Sequence, residues 1–322
     1  MGEFELIRRY FQHALRPDGV ALGNGDDCAL LAPAPGMRLA VSTDMLVEGR
    51  HFLSTVDPEA LGHKALAVNL SDLAAMGAKP LAFTLALSLP RADEAWLAGF
   101  SKGLLALADA HGCALVGGDT TAGPLNICIT VFGQVPQHQA LRRDAARVGD
   151  DVYVSGTLGD ARLALEVFRG KAHLDAADFA TVRQRMERPT PRVALGLALR
   201  GVAHAAADVS DGLLGDLGHI LAASGTGAEL RVGDMLDSIA VSPILTSAGA
   251  HFLPDFVLNG GDDYELVFTA PPSARMQVSH AAHTAQTPVT RIGTITASPS
   301  LKCVGPDGAP VTLTTRSFDH FA

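Results

Sequence analysis

Apolar positions along the chain switch repeatedly between helical and extended spacing. Phe4, Ile7, Phe11 and Leu15 fall on one side of a helix, so residues 3–15 are expected to be helical. Residues 39–44 read as a strand that ends in two hydroxyls and a carboxylate, followed by a loop over 47–52. Asp57-Pro58 opens a second helix, with Asp57 as its cap and Pro58 in its first turn. Leu61, Ala65 and Val68 form the inner stripe of that helix, and Asp72 lies nearly in line with them around the axis. A carboxylate on a buried stripe needs a partner or a cation. Residues 79–89 read as a strand and 93–111 as a helix with Leu97, Leu104 and Ala108 inward; Trp96 is a packing residue there. A short apolar run at 113–116 and an alternating, β-branched run at 125–135 flank Gly117-Gly118-Asp119-Thr120-Thr121. That motif is expected as a strand-end turn where the backbone can approach a ligand.

The second half follows a similar habit. Polar residues 141–150, with Arg142, Arg143 and Arg147, read as a linker, and 151–156 as a strand that turns into a helix over 159–169. Thr190-Pro191 caps a helix through Leu199. The apolar run 205–207 ends in Asp208-Val209-Ser210-Asp211-Gly212, with Ser210 able to cap a helix to about Ala223. Gly260-Gly261-Asp262-Asp263 is a turn that feeds a strand, and 291–295 and 311–315 are further strands. Two similar α/β units, 1–140 and 141–322, facing a common acidic cleft, are the expected organisation.

Composition narrows the chemistry. A chain of 322 residues is long enough for about two domains, and 48% hydrophobic content with 33 Gly and 18 Pro fits a packed α/β or α+β protein. Net charge is -9 with no basic block, which excludes a nucleic-acid surface. Cys28, Cys113, Cys128 and Cys303 are scattered, so structural zinc and iron–sulfur clusters are unsupported and reduced thiols are expected. No secretory pattern and no membrane-spanning apolar run occur, and a soluble cytoplasmic protein without a membrane partner is expected.

Asp26, Asp27, Asp44, Asp72, Asp119, Asp208, Asp211, Asp262 and Asp263 all stand at glycine- or hydroxyl-rich ends of elements. Gathered together, they would repel one another unless cations neutralised them. Oxygen ligands without His or Cys select Mg²⁺, Mn²⁺ or Ca²⁺. Neither a Walker A sequence nor the protein-kinase signatures are present, so a nucleotide would be held through cations and glycine backbone, with Arg143 and Lys102 as possible basic contacts. No Ser-His-Asp or Cys-His arrangement stands out, and His51 is a candidate substrate contact.

Seven ordered motifs carry a resemblance: Gly25-Asp26-Asp27-Cys28-Ala29, Ser42-Thr43-Asp44, Gly49-Arg50-His51-Phe52, Asn69-Leu70-Ser71-Asp72-Leu73-Ala74-Ala75-Met76-Gly77, Gly117-Gly118-Asp119-Thr120-Thr121, Asp208-Val209-Ser210-Asp211-Gly212-Leu213 and Gly260-Gly261-Asp262-Asp263-Tyr264-Glu265-Leu266. Together the chain resembles the thiamine-monophosphate kinase family, in the superfamily of aminoimidazole ribonucleotide synthetase and selenophosphate synthetase. The resemblance implies an ATP-dependent phosphotransferase that turns thiamine phosphate into thiamine diphosphate. It also implies an N-terminal α/β domain whose sheet joins a second subunit's in a barrel, making a homodimer, and a C-terminal α+β domain. The implied metal set, for several Mg²⁺, is Asp27, Ser42, Thr43, Asp44, Asp72, Asp119, Asp208 and Asp211. Implied nucleotide contacts are Gly118, Asp119, Arg143 and Ser210, and implied thiamine-phosphate contacts are His51, Asp262 and Phe318. The family usually carries Glu where Asp262 stands, and the shorter arm would need a water to reach the thiamine. The acceptor is already an ionised phosphate, so no covalent nucleophile is expected and transfer is direct. Superfamily enzymes that form an amidine ring or selenophosphate are rivals, opposed by His51 in its motif and by the lack of an N-terminal catalytic Cys segment. A non-catalytic relative is opposed by intact acids in all seven motifs.

Overall fold

The computed structural model describes residues 2–249, 253–305 and 307–311, which divide into two compact units. One comprises the residues up to Leu73 with Ala78–His138; the other comprises Ala74–Gly77 and the residues from Gln139 onward.

In the first unit, α1 (Glu3–Leu6) passes into a π-helical turn (Ile7–Phe11) and ends where Gln12 becomes extended. The expected helix is cut short because the next residue is claimed elsewhere. His13 is buried, its Nδ1 accepts the Leu115 N–H at 3.1 Å and its Nε2 meets Asp109 Oδ1 at 2.9 Å. β1 (Val20–Leu22) and β2 (Leu30–Leu31) form a small hairpin. Then come β3 (Met37–Val47), α2 (Pro58–Ala75), β4 (Lys79–Leu89), α3 (Glu94–Ala110), β5 (Ala114–Ala122) and β6 (Asn126–Pro136). The sheet order is β3-β6-β4-β5, antiparallel except for β4 with β5. Asp57 caps α2 as expected, accepting from the N–H groups of Glu59 and Ala60. Asp93 caps α3, and Trp96 stacks on Phe100 with ring centres 4.9 Å apart, a packing role.

The Gly117-Gly118-Asp119 motif departs from expectation: it lies inside β5, which continues to Ala122. Register with β4 shifts by one residue there, since Phe83 pairs with Leu115 but Thr84 with Gly117. Gly118 has φ +148°, and a Cβ at that position would stand 1.9 Å from the Leu85 carbonyl oxygen. Only glycine permits that approach.

The second unit runs β7 (Asp151–Ser155), α4 (Asp160–Phe168), α5 (Ala176–Glu187), α6 (Val193–Ala198), β8 (Ala205–Val209), α7 (Leu213–Ser224), β9 (Gly227–Arg231), α8 (Val232–Leu236), α9 (Pro243–Ala248), α10 (Leu253–Asn259), β10 (Glu265–Ala270), α11 (Arg275–Thr284), β11 (Val289–Thr296) and β12 (Leu301–Val304). Its sheet order is β12-β9-β11-β7-β10-β8, antiparallel except for β12 with β9. Every residue of β7, β8 and β10 is buried. The helix expected from Thr190-Pro191 begins later, at Val193, and of the expected strand 311–315 only Val311 is described. No helix of the described residues is long and apolar enough to cross a membrane.

Candidate active site

Strand alternation sorts the Ser42-Thr43-Asp44 motif. Ser42 Oγ donates to Asp72 Oδ2 at 2.5 Å, and the Asp44 N–H donates to Asn69 Oδ1 at 3.2 Å. Asn69 is itself fixed by donating to the Ala65 carbonyl at 3.0 Å, one turn back along α2. Ser42, Asp44, Asn69 and Asp72 therefore meet where β3 crosses α2, and Asp72 is half-buried. Thr43 faces the other way: its hydroxyl lies 2.9 Å from that of Thr130 and is not among the groups around Asp72. Burial first, and the Asp44 charge second, push the Cys128 thiol up and hold it protonated.

Asp26 and Asp27 are exposed in the β1–β2 turn, where Asp27 N–H donates to Asp26 Oδ1 at 2.9 Å. Asp119 is exposed on β5, opposite Ala86 of β4. In the turn after β3, His51 Nδ1 accepts the Val47 N–H at 3.0 Å. A neutral His51 therefore carries its proton on Nε2. Lys102 is engaged by Glu59 at 2.7 Å.

In the second unit the two acidic motifs lie side by side. Asp262 N–H donates to the Ser210 carbonyl at 2.8 Å and Tyr264 N–H to the Val209 carbonyl at 2.9 Å. The loops press so closely that a Cβ on Gly261 would stand 2.4 Å from the Ser210 oxygen. Asp262 and Tyr264 adopt positive φ, +72° and +52°, on either side of a buried Asp263. Asp263 accepts the Gly159 N–H at 2.9 Å; burial nonetheless pushes its carboxyl well above the usual range. Burial would raise Glu265 too, but hydrogen bonds and charge from Arg192, then the Arg185 charge, outweigh it and hold the carboxyl low. Its oxygens accept from Ser155 Oγ at 2.6 Å, Arg192 Nε at 2.6 Å and Arg185 at 2.8 Å.

Asp208 is buried at the end of β8, and Ser210 and Asp211 are half-buried in the turn that follows. Ser210 does not cap α7. The residue before the helix is Gly212, which has no capping side chain, and Asp216 folds back to accept from the N–H groups of residues 210, 211 and 212 in the turn before the helix. Burial pushes Asp216 up to about 7 against those hydrogen bonds, with the Asp211 charge adding to the rise and that of Arg143 opposing it. Arg143 is exposed in a short 3₁₀ turn whose carbonyl accepts from Ser224 Oγ at 2.7 Å. Sequence reasoning missed Asn69 and Asp216. The signal for Asp216 was its place four residues after Gly212, where its carboxylate can fold back over the turn. Phe318 lies outside the described residues.

Among the described residues no three His, Cys, Asp or Glu side chains converge into a closed metal cage. Each unit instead offers a few carboxylates and hydroxyls, all oxygen donors. That is the donor set of an ion such as Mg²⁺, which keeps waters and shares its sphere with substrate phosphates.

The AIR synthase related protein N-terminal domain matches residues 25–135, and the C-terminal domain of the same name matches 147–305. The thiamine-monophosphate kinases of Escherichia coli K12 and Haemophilus influenzae are each 46% identical, the match spanning 100% of this chain and 98% of theirs. The thiamine-monophosphate kinase structure from Stenotrophomonas maltophilia K279a superposes with TM-score 0.87 at 48% identity, over 97% of this chain and 98% of that one. AaThiL, solved in complex with AMPPCP and TMP, superposes with TM-score 0.78 at 29% identity, over 90% of this chain and 89% of its own.

Proposed function

The chain belongs to the thiamine-monophosphate kinase family of AIR synthase related proteins, and from that premise we propose how its acids and loops carry the reaction. The protein has the two-domain AIR synthase-like fold and is a kinase that uses ATP to phosphorylate thiamine phosphate.

The acceptor is a phosphate monoester, already ionised at neutral pH, so the reaction asks for no strong general base. Its difficulty is that two polyanions must approach. In our reading Asp27, Ser42, Thr43, Asp44, Asp72 and Asp119 of the first unit, with Asp208 and Asp211 of the second, hold several Mg²⁺ ions. Thr43 takes part through its main chain, because its hydroxyl is turned to Thr130. Bound Mg²⁺ supplies the positive charge that offsets both sets of phosphates. The observation that carries this reading is the meeting of Ser42, Asp44 and Asp72 where β3 crosses α2.

Gly118 lets the β5 backbone come close to the nucleotide, and Asp119, Arg143 and Ser210 complete its contacts. His51, with its proton on Nε2, donates to the thiamine-phosphate side, where Asp262 and Phe318 also act. The positive φ of Asp262 is the kind of strain that functional loops retain. No residue is assigned as a nucleophile: the aspartates serve as ligands and His51 as a hydrogen-bond donor. Transfer of the γ-phosphoryl group is therefore direct.

This reading also makes the protein a homodimer whose N-terminal sheets join in a barrel. β3, at the edge of its sheet, supports it by exposing Leu39 (42%), Val41 (56%) and Met45 (54%) along one face. Four free cysteines support a cytoplasmic setting.

Initial rates and stereochemistry test the mechanism together. We expect ADP release to require thiamine phosphate, initial-rate lines to intersect, and a chiral γ-phosphorus to invert. Retention of configuration, or an isolated phospho-enzyme that passes its phosphate on, would overturn direct transfer.

A further inference from the structure

Asp216 is 3% exposed and sits one turn into α7. A single oxygen, Oδ2, accepts from three consecutive main-chain N–H groups: Ser210 at 3.0 Å, Asp211 at 3.1 Å and Gly212 at 3.2 Å. In return the Asp216 N–H donates to the Gly212 carbonyl at 3.0 Å. Successive amides that converge this way form a concavity suited to an anion, and phosphate is a common occupant. Here the chain fills the concavity itself.

An ordinary cap could not do so. The position before α7 is held by Gly212 at φ +116°, and a Cβ there would stand 2.8 Å from the Asn259 carbonyl carbon. A capping side chain there would in any case serve amides of the first helical turn, whereas these three amides precede the helix and take their acceptor from Asp216 within it. The amides it satisfies belong to the stretch that carries Ser210 and Asp211 and follows Asp208.

We propose that Asp216 is a positioning residue: its carboxyl oxygen occupies the amide concavity at the head of α7 and so sets how Asp208, Ser210 and Asp211 are presented. The inference rests on the assignment of those three residues to cation and nucleotide. It has two consequences. Phosphate is kept off the amides, so the nucleotide meets this loop through side chains and cations. The amides are also kept from drawing in the Asp211 carboxylate, which an empty concavity would attract.

The test is Mn²⁺ titration in the presence of AMPPCP, read by electron paramagnetic resonance, alongside melting temperature with and without inorganic phosphate. Asp216→Asn keeps an oxygen acceptor and should bind Mn²⁺ within about threefold of wild type; Asp216→Ala should bind about tenfold more weakly or worse. Phosphate should raise the melting temperature of the alanine variant beyond its effect on wild type, and formate, refilling the concavity, should restore its Mn²⁺ affinity. A lower melting temperature with unchanged Mn²⁺ affinity would reduce Asp216 to a plain helix cap and overturn the proposal. So would an asparagine variant as defective as the alanine one. If the alanine variant does not fold, Asp216→Glu replaces it: its longer arm should displace the loop and weaken Mn²⁺ binding about tenfold, and wild-type affinity would overturn the proposal. Asp211→Asn separates the two layers of the argument. Unchanged affinity there overturns the assignment of the loop itself, whereas lost affinity there with intact binding in Asp216→Ala overturns the role of Asp216 alone.

Discussion

The Ser42 hydroxyl donates to the Asp72 carboxylate at 2.5 Å and so couples the middle of β3 to the last turns of α2. Asp44 stands two residues further along the same face, and its N–H donates to Asn69 of the same helix at 3.2 Å. These two bonds tie the strand that carries Asp44 to the helix that carries Asp72.

Asp44→Asn, Asp72→Asn and Asp119→Asn should each lower phosphoryl transfer by about 10²-fold or more, the usual scale for losing charge that stabilises a transition state. In Asp72→Asn the side-chain amide can still accept from Ser42, so the fold should persist. Steady-state rates across a Mg²⁺ series, with circular dichroism on the same samples, check this. Near-normal turnover at saturating Mg²⁺ would show the cations to be held elsewhere.

Val41→Lys should turn a dimer into a monomer, since a charge in the exposed apolar row of Leu39, Val41 and Met45 cannot be buried cheaply against a second copy. Light scattering at micromolar concentration is the measurement. A monomeric wild type would remove the assignment of this face.

How much of this was legible beforehand depended on the range of the forces involved. The Asp57 cap and the strand at β4 were readable because a cap and an apolar strand are local signals. α5 escaped because Val182, Met186 and Glu187 are its only buried residues, leaving the Asp175 cap as a lone sign. The first helix was overestimated because His13 is held by Leu115 and Asp109, distant in sequence. The glycine motif resembles a turn in sequence because the bulge beside it, in which β5 carries one extra residue, is defined only by pairing with the distant strand β4. Among the acids, the residue types were plain, but which oxygen serves which amide around Asp216 depends on a turn geometry that no pattern encodes.

Gly118→Ala should destabilise the first unit by about 3 kcal/mol or more, because it adds both strain at φ +148° and a 1.9 Å clash with the Leu85 oxygen. β5 would have to move, and Asp119 with it, so activity should fall further than stability. Thermal unfolding and kinetics of the variant measure the two effects separately.

Glu265 and Asp263 should give pH dependences of opposite sign. The folded pKa of Glu265 is held below its unfolded value of 4.5, chiefly by Arg192 against burial. Its stabilisation is therefore present above the unfolded value and lost as pH falls through the folded one. Asp263 is raised by burial above 3.8, so its contribution is present below that value and lost as pH rises through the folded pKa. Glu265→Gln should cost about 3–5 kcal/mol at neutral pH, by leaving two arginines without their counter-charge, and should flatten the acid limb of the stability curve. Asp263→Asn should improve relative to wild type as pH rises. Urea denaturation over a pH series reads both slopes.

The bond between Arg192 and Glu265 spans 73 residues, and β7 cannot complete its place in the sheet until β10 and β11 exist. On a ribosome adding about 5–20 residues per second, Arg192 emerges roughly four to fifteen seconds before its partner. Throughout that interval both arginines stay hydrated and the strands on either side of β7 are missing. The second unit therefore has no early folding nucleus built on its own central ion pair. The first unit has all four strands of its main sheet once β6 is made, so an arrest of translation in the stretch after Arg192 would leave a chain that holds every strand of that sheet while the other still lacks β10 and β11.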